Sequence, residues 1–396
     1  MGVPSLGKIL KQCPEAWEEI PDEKLSERFS GQIFLFDAPA MMHRFVNKCD
    51  TIENNEHLEC FIRLWEHMRT LGIESAFIFD GKQTMAKHDE IVKRVESKQR
   101  SMSKAQEKVK NYQKELTELE KKTGDPEPLA SPEIDFAAMA RMSTLKGLLV
   151  EETKKAVRRV LPRYYVELKE MFRKREIPFM TAHYEAEQAG SWLVKNGLAN
   201  VIVSDDYDCL VCGAPFFFQH FHSTQRPQRL IYLDPLIKHL GFTTHLQFVD
   251  YCILAGTDFP GRLPGVGPVN AQRLMKKHGS IDALLASPDG KKFLTPEGAT
   301  PTTHRVAQRM FLNDAFPLSS GEIPANASHG LLEINHRLQQ QEVPKRKSPV
   351  KKIVRLSKQP GGEELKVGTK REEPPPDCDH EESPTKNHKR TRLINL

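Results

Sequence analysis

The chain is 396 residues long, 38% hydrophobic and 28% charged, with a net charge of +5, so it has apolar material for a sizeable core and length for more than one domain. No run of eighteen apolar residues occurs, which excludes a transmembrane helix; the opening MGVPSLGKIL has no signal-peptide core, Leu6 stands where a myristoylation signal takes Ser or Thr, and seven scattered cysteines suit a reduced compartment. The charge is unevenly placed: Glu342 to Leu396 holds fourteen Lys and Arg against nine Asp and Glu, the whole surplus, and residues 1–341 are neutral.

Ile33–Phe36 and Ala76–Phe79 are apolar runs that end in Asp37 and Asp80, and Val201–Val203 runs through Ser204 into Asp205 and Asp206. Such runs predict strands buried on both faces, the habit of a parallel sheet. Between the first two, Leu58–Thr70 has helical periodicity and a stop near Gly72, which makes a βαβ unit. Lys82 to Thr123 has neither Gly nor Pro and few core-forming residues; a helix over most of it would reach roughly 60 Å and project from the body. Gly124–Pro128 breaks it, and a second helical stretch, Phe136 to Arg175, is expected to break or kink at Pro162. The two stretches predict a helical hairpin or arch. Thr243 to His278 reads as helix, tight loop, helix, with Asp258–Pro268 too rich in Gly and Pro to be helical. Beyond about Glu342, excess Pro, Lys and Glu predict disorder.

Three strand ends deliver carboxylates to the edge where ligands of parallel sheets bind. Asp37, Asp80, Glu185, Glu187, Asp206, Asp208 and Asp258 are the candidate cluster. Glu185 and Glu187 open a helix whose small or apolar face is Ala186, Ala189, Gly190, Leu193 and Val194, so the macrodipole favours their charge. Asp206 and Asp208 are expected to leave a strand end on one face. Any one of these acids alone is most simply a surface group or a turn. Seven in one pocket would repel by several kcal/mol unless cations neutralised them, and their hard oxygens suit two Mg²⁺ or Mn²⁺ ions for phosphodiester hydrolysis. Cys209 and Cys212 have CxxC spacing without a second pair and read as part of a buried strand; His220 and His222 read as strand residues. Neither pair is expected to hold metal.

Met1-Gly2-Val3, Phe79-Asp80-Gly81-Lys82, Tyr184–Glu187, Asp205–Leu210 and Gly256-Thr257-Asp258 through Gly265-Val266-Gly267-Pro268 occur in the order found in XPG-type structure-specific 5′ nucleases. The chain resembles the flap-endonuclease branch of that family over roughly Met1 to Leu285. The resemblance implies an α/β, PIN-like nuclease core with a mostly parallel central sheet flanked by helices, a long helical arch and a helix-two-turn-helix DNA-binding element. It implies two Mg²⁺ ions (or Mn²⁺) on the seven acids and cutting near the base of 5′ DNA flaps. It implies catalytic gateway roles for Lys87 and Arg94, seven apart on the arch helix and so on one face. It also implies DNA contacts at Gly2, His43, Gly265, Gly267, Lys276 and Lys277, and K⁺ held by carbonyls of the Gly265–Pro268 loop.

Boundaries follow: 1–80 for the N-terminal part of the nuclease core, 81–180 for the arch and return helix, 181–285 for the internal part with the helix-two-turn-helix at about 243–278, 286–341 for a C-terminal extension and 342–396 for a disordered basic tail. The stretch from Arg94 to Glu185 is longer than the family's usual arch, and His43 stands where the family commonly has a base-stacking tyrosine. Gln308 to Phe311 begins like a sliding-clamp motif, but Asp314 and Ala315 occupy its aromatic positions, so no clamp partner is expected. The expected partner is branched or flapped DNA, bound by a monomer without membrane contact. Basic clusters in the tail suggest a nuclear protein, or a host nucleus or cytoplasmic replication site if the source is viral. A 5′ exonuclease, a junction resolvase and an inactive DNA-binding scaffold remain open.

Overall fold

A computed structural model describes residues 3, 5–49, 54–123, 136–157, 159–221, 223, 226–294 and 301–340. Gly2 and the tail from residue 342 lie outside the described residues. Eight short strands build the framework: β1 (Trp17–Glu19), β2 (Ile33–Asp37), β3 (Glu74–Phe79), β4 (Phe179–Ala182), β5 (Val201–Val203), β6 (Phe216–Gln219), β7 (Arg229–Tyr232) and β8 (Leu318–Glu322). They form one sheet in the order β1-β7-β6-β5-β2-β3-β4-β8. The inner block β6-β5-β2-β3-β4 is parallel throughout, and β7, β1 and β8 join antiparallel. The parallel expectation therefore holds for the centre and not for the rims.

Alternation within β2 shows how the two faces are covered. Phe34 and Phe36 face an aromatic layer in which Phe36 meets Phe77 at 5.4 Å and Phe77 stacks on Phe172 at 4.8 Å. On that side lie α3 (Ala38–Lys48), α4 (Glu56–Thr70) and α7 (Pro162–Lys174), following the shorter α1 (Leu6–Gln12) and α2 (Leu25–Phe29). Leu35, Ile78 and Ile202 join the other layer with α8 (Ala186–Lys195), whose Ala186, Ala189, Leu193 and Val194 are buried. Gly190 allows that packing, because a Cβ there would lie 2.3 Å from Ile202 Cδ1. Parallel strands buried on both faces account for the unbroken apolar runs.

α5 (His88–Thr123) and α6 (Phe136–Val157) are the paired arch helices. At 1.5 Å per residue the first is about 54 Å long. Their seam holds Ala105 and Leu145, both buried, while Lys108 reaches Glu152 at 3.5 Å and Arg141 reaches Glu115 at 2.7 Å. The expected break falls at Pro162, which is the first residue of α7, where its missing N–H costs nothing. The remaining helices are α9 (Asp208–Val211), α10 (Leu233–His239), α11 (His245–Ala255), α12 (Pro268–His278), α13 (Ile281–Ala286), α14 (His304–Phe311) and α15 (His329–Gln340). No helix among the described residues is long and apolar enough to cross a membrane.

Two sequence expectations are corrected here. Cys209 lies in the short helix α9 and Cys212 caps it, so the CxxC stretch is not a strand; both are buried free thiols. His220 follows β6 in a turn with φ +58, and His222 lies outside the described residues.

Candidate active site

Each acid is placed by a distinct local device. Asp37 ends β2 and caps α3, accepting from Ala40 N at 2.9 Å, and its second oxygen accepts from Ser204 Oγ at 2.6 Å. Asp80 follows β3 and accepts from Ala186 N at 2.9 Å, so an acid from one strand satisfies an orphan donor at the start of α8. Gly81 donates to Tyr184 O at 2.7 Å, and a Cβ on it would lie 2.0 Å from Ala182 O; only glycine permits this join. Glu185 is the N-cap of α8 and Glu187 lies in its first turn, as the helix-start reading expected.

Asp206 and Asp208 are brought together differently from the strand-end expectation. β5 stops at Val203, Asp206 sits in a turn, and Asp208 is the first residue of α9. Asp206 accepts from Asp208 N at 3.1 Å, while Ser204 Oγ accepts from Asp206 N at 3.1 Å. A side-chain turn, rather than strand pleat, sets the pair. Asp258 arrives from the loop after α11.

Lys87 and Arg94 both reach this cluster. Lys87 belongs to a 3₁₀ turn, Met85–Lys87, just before α5, so it is not on the arch helix itself. It is 8% exposed, bonds Glu185 at 2.7 Å, lies 3.9 Å from Asp258 and sits 4.5 Å over the Phe259 ring. Arg94, half-exposed on α5, pairs with Asp258 and lies 3.5 Å from Glu90. One carboxylate thus meets both cations.

The electrostatics show seven acids in mutual range. Burial, and then Asp80, push the Asp37 carboxyl up to about 7. Asp208, 1% exposed, is held well above the usual carboxylate range by burial and Asp206, and neither of its oxygens has a hydrogen-bond partner. Burial and Glu185 raise Glu187 well above its ordinary value. Although burial disfavours its charge, Glu185, Glu187 and Asp208 hold the Lys87 ammonium far above the usual range. A buried carboxylate with two idle oxygens among like charges fits a cation-binding role.

Sequence reasoning missed a second tier around Asp205. Arg44 on α3 pairs with Asp205 and donates to Phe221 O, and His220 Nδ1 lies 3.3 Å from the same carboxylate. Against burial, hydrogen bonds from His220 and Arg44 hold Asp205 well below the usual range. The doubled Asp205-Asp206 was the available signal, since two adjacent acids leaving a strand cannot both face one pocket.

Beside the pocket, α11, the loop Gly256–Gly267 and α12 form the expected helix–loop–helix. Gly265 has φ +72 and, like Gly267, nothing within 4 Å of its Cβ position, so backbone is bare there. The Val266 carbonyl accepts from Arg262 Nε at 3.1 Å, a guanidinium that competes with any K⁺ at that oxygen. Lys276 is exposed with its stem over Gly241, whereas Lys277 is paired with Asp289 at 2.7 Å. His43 is exposed on α3. Gln308 donates to the buried Asp250 at 2.5 Å, and Phe311 packs edge-on to Phe259 at 5.0 Å, so both serve the core.

An acidic cluster at the carboxyl edge of a parallel sheet, faced by two cations, defines an α/β nuclease. The XPG N-terminal domain matches residues 1–101 and the XPG I-region matches residues 176–258. The chain is similar to the XPG family over these two regions. It is 28% identical over 338 residues to a flap endonuclease 1 of Chlamydomonas reinhardtii, covering 82% of this chain and 75% of that one. It is 26% identical over 325 residues to the Bos taurus flap endonuclease 1, covering 79% and 75%. Among solved structures, the catalytic core of Rad2 in complex with DNA substrate aligns with TM-score 0.54 at 15% identity, over 86% of this chain and 94% of that one, a likeness of fold.

Proposed function

We propose that the protein is a structure-specific 5′ flap endonuclease that hydrolyses DNA phosphodiesters near single-strand/duplex junctions, in replication or repair. The observation that carries the reading is the convergence of seven carboxylates with Lys87 and Arg94 beside a helix–loop–helix with bare backbone. The family match and the flap endonucleases among the relatives support it. Asp37, Asp80, Glu185, Glu187, Asp206, Asp208 and Asp258 would hold divalent cations, two in number, with Mg²⁺ or Mn²⁺ suited to an all-oxygen donor set. Bound there, such cations would neutralise the acids and stabilise charge on the phosphoryl oxygens.

The chain's own groups account for the rest. Ser204, the Ala40 N–H and the Ala186 N–H hold Asp37 and Asp80 in fixed orientations, so the donor set is preorganised. Lys87, wedged between Glu185 and Phe259, presents an ammonium that cannot lose its proton near neutral pH. Arg94 enters from the arch, and its planar fork suits a phosphate. The Gly265–Gly267 backbone and Lys276 grip duplex phosphates at a distance from the cut. The setting we propose is nuclear.

Incision mapping on 5′-flap, nicked, blunt-duplex and four-way-junction DNAs tests the reading. Cuts at the flap base, with weak activity on the other substrates, are expected. Preferential cutting of blunt ends or paired incision of junctions would move the protein to another branch of the family.

A further inference from the structure

At the β1–β7 rim of the sheet, Cys13, Glu15 and His239 bring together a thiol, a carboxylate oxygen and an imidazole nitrogen within 4.8 Å of one another. We infer that these three side chains form a site for Zn²⁺ or a similar thiophilic cation. The site is separate from the nuclease reading in both residues and chemistry.

The fold builds it from two directions. Cys13 caps the C-terminus of α1, its N–H bonding Leu10 O at 3.1 Å, and Pro14 starts the 3₁₀ turn Pro14–Ala16 that presents Glu15. Trp17 then begins β1, anchored by Nε1 to Leu10 O at 2.9 Å and covered by Arg229 at 4.3 Å. β1 pairs antiparallel with β7, Trp17 opposite Ile231, and β7 runs into α10, which ends at His239. That antiparallel pairing lays the Pro14–Ala16 turn on α10. The ligand groups therefore sit on elements fixed by sheet register and not on free loops.

The distances suit a tetrahedral ion. With Zn–S about 2.3 Å and Zn–N or Zn–O about 2.0–2.2 Å, ligand–ligand edges are about 3.3–3.6 Å. His239 Nδ1 and Glu15 Oε1 are 3.5 Å apart. No pair has to close by more than about 1.5 Å to reach those edges. Cys13 is fully buried, with its thiol directed at Pro235 O at 3.9 Å, while Glu15 and His239 open to solvent and leave a fourth position for water. Ligation replaces the Cys13 S–H bond with S–Zn and releases the proton to solvent, so affinity rises with pH. Mg²⁺ prefers the oxygen cluster, and thiolate selects Zn²⁺ or Co²⁺.

The test uses full-length reduced protein with Mg²⁺ in excess to occupy the acids. Titration with Co²⁺ should give a sulfur-to-cobalt charge-transfer band and the intense visible bands of a tetrahedral ion; carboxylates alone give neither. Competition with a chromophoric chelator then measures Zn²⁺ affinity. Cys13→Ser should abolish the charge-transfer band, and Cys60→Ser should keep it. His239→Gln, a substitution of an exposed residue that leaves folding intact, should weaken Zn²⁺ by more than about tenfold, the lower end of what even an outer-shell partner contributes. A band that survives Cys13→Ser, or Zn²⁺ affinity unchanged in His239→Gln, would overturn the site.

Discussion

Asp208 is the side chain whose setting says most about the pocket: fully desolvated, without a hydrogen-bond partner, and next to Asp206. Substituting its neighbour gives the sharpest residue-scale prediction. Asp206→Ala should lower cleavage in Mg²⁺ by at least about a thousandfold, since an electrostatic role of several kcal/mol is removed, while flap-DNA binding stays near wild type. Wild-type turnover would sink the cluster's assignment. The bases divide by position. Lys87→Ala and Arg94→Ala should each slow single-turnover cleavage by about a hundredfold at saturation, with affinity changed little. Lys276→Ala, out on α12, should weaken binding and leave the saturated rate near normal. At this scale the sequence was most legible where apolar runs ended in acids. It was least legible where side chains bond side chains: nothing in the letters placed Lys87 against Phe259, or Arg44 and His220 around Asp205.

Helices and strands were legible in proportion to their length. α4 carried helical periodicity and α5 a long run without Gly or Pro, and Pro162 marked a helix start as well as a break. The four-residue strands β4 and β7 were not foreseen, because so short a stretch fits a helix or a strand equally and only pairing across the sheet decides. The same limit misread Cys209–Cys212. The arch yields a prediction of its own. Its seam buries few side chains, so its pairing rests heavily on Leu145, fully buried between α5 and α6. Leu145→Ala should cost the hairpin about 2–5 kcal/mol and increase hydrogen exchange over 88–123 and 136–157, with the sheet's protection unchanged. If exchange rises equally in β2 and β3, the hairpin is not an independent unit of stability.

For the whole molecule, the crowded acids make stability depend on pH in a direction opposite to that of most carboxylates. Asp37 titrates near 3.8 when unfolded and about 7 when folded, and Asp208 and Glu187 shift the same way. Between those values the folded state binds more protons, so stability is full below about pH 4 as far as these groups are concerned and falls as pH rises toward 7. The loss should amount to a few kcal/mol, at about 1.4 kcal/mol per pKa unit. Melting temperatures in EDTA should therefore drop from pH 5 to pH 7.5, and Mg²⁺ should flatten the curve. A curve that is equally steep with and without Mg²⁺ would separate the cation site from these acids.

The two rims of the sheet have a consequence for how the chain is made. β4 is covered by β8, about 140 positions later in sequence, and β7 is covered by β1, over 200 positions earlier. Synthesis delivers the β7–β1 rim as soon as residue 232 emerges, but leaves β4 with unpaired N–H and C=O groups until residues 318–322 arrive. An open edge of that kind templates pairing with another nascent chain. Chains ending at residue 317 should therefore accumulate in the insoluble fraction, whereas chains ending at residue 340, which include β8 and the α15 helix packed on it, should stay soluble in the same expression host. Equal solubility of the two would mean that the last strand closes nothing that was at risk.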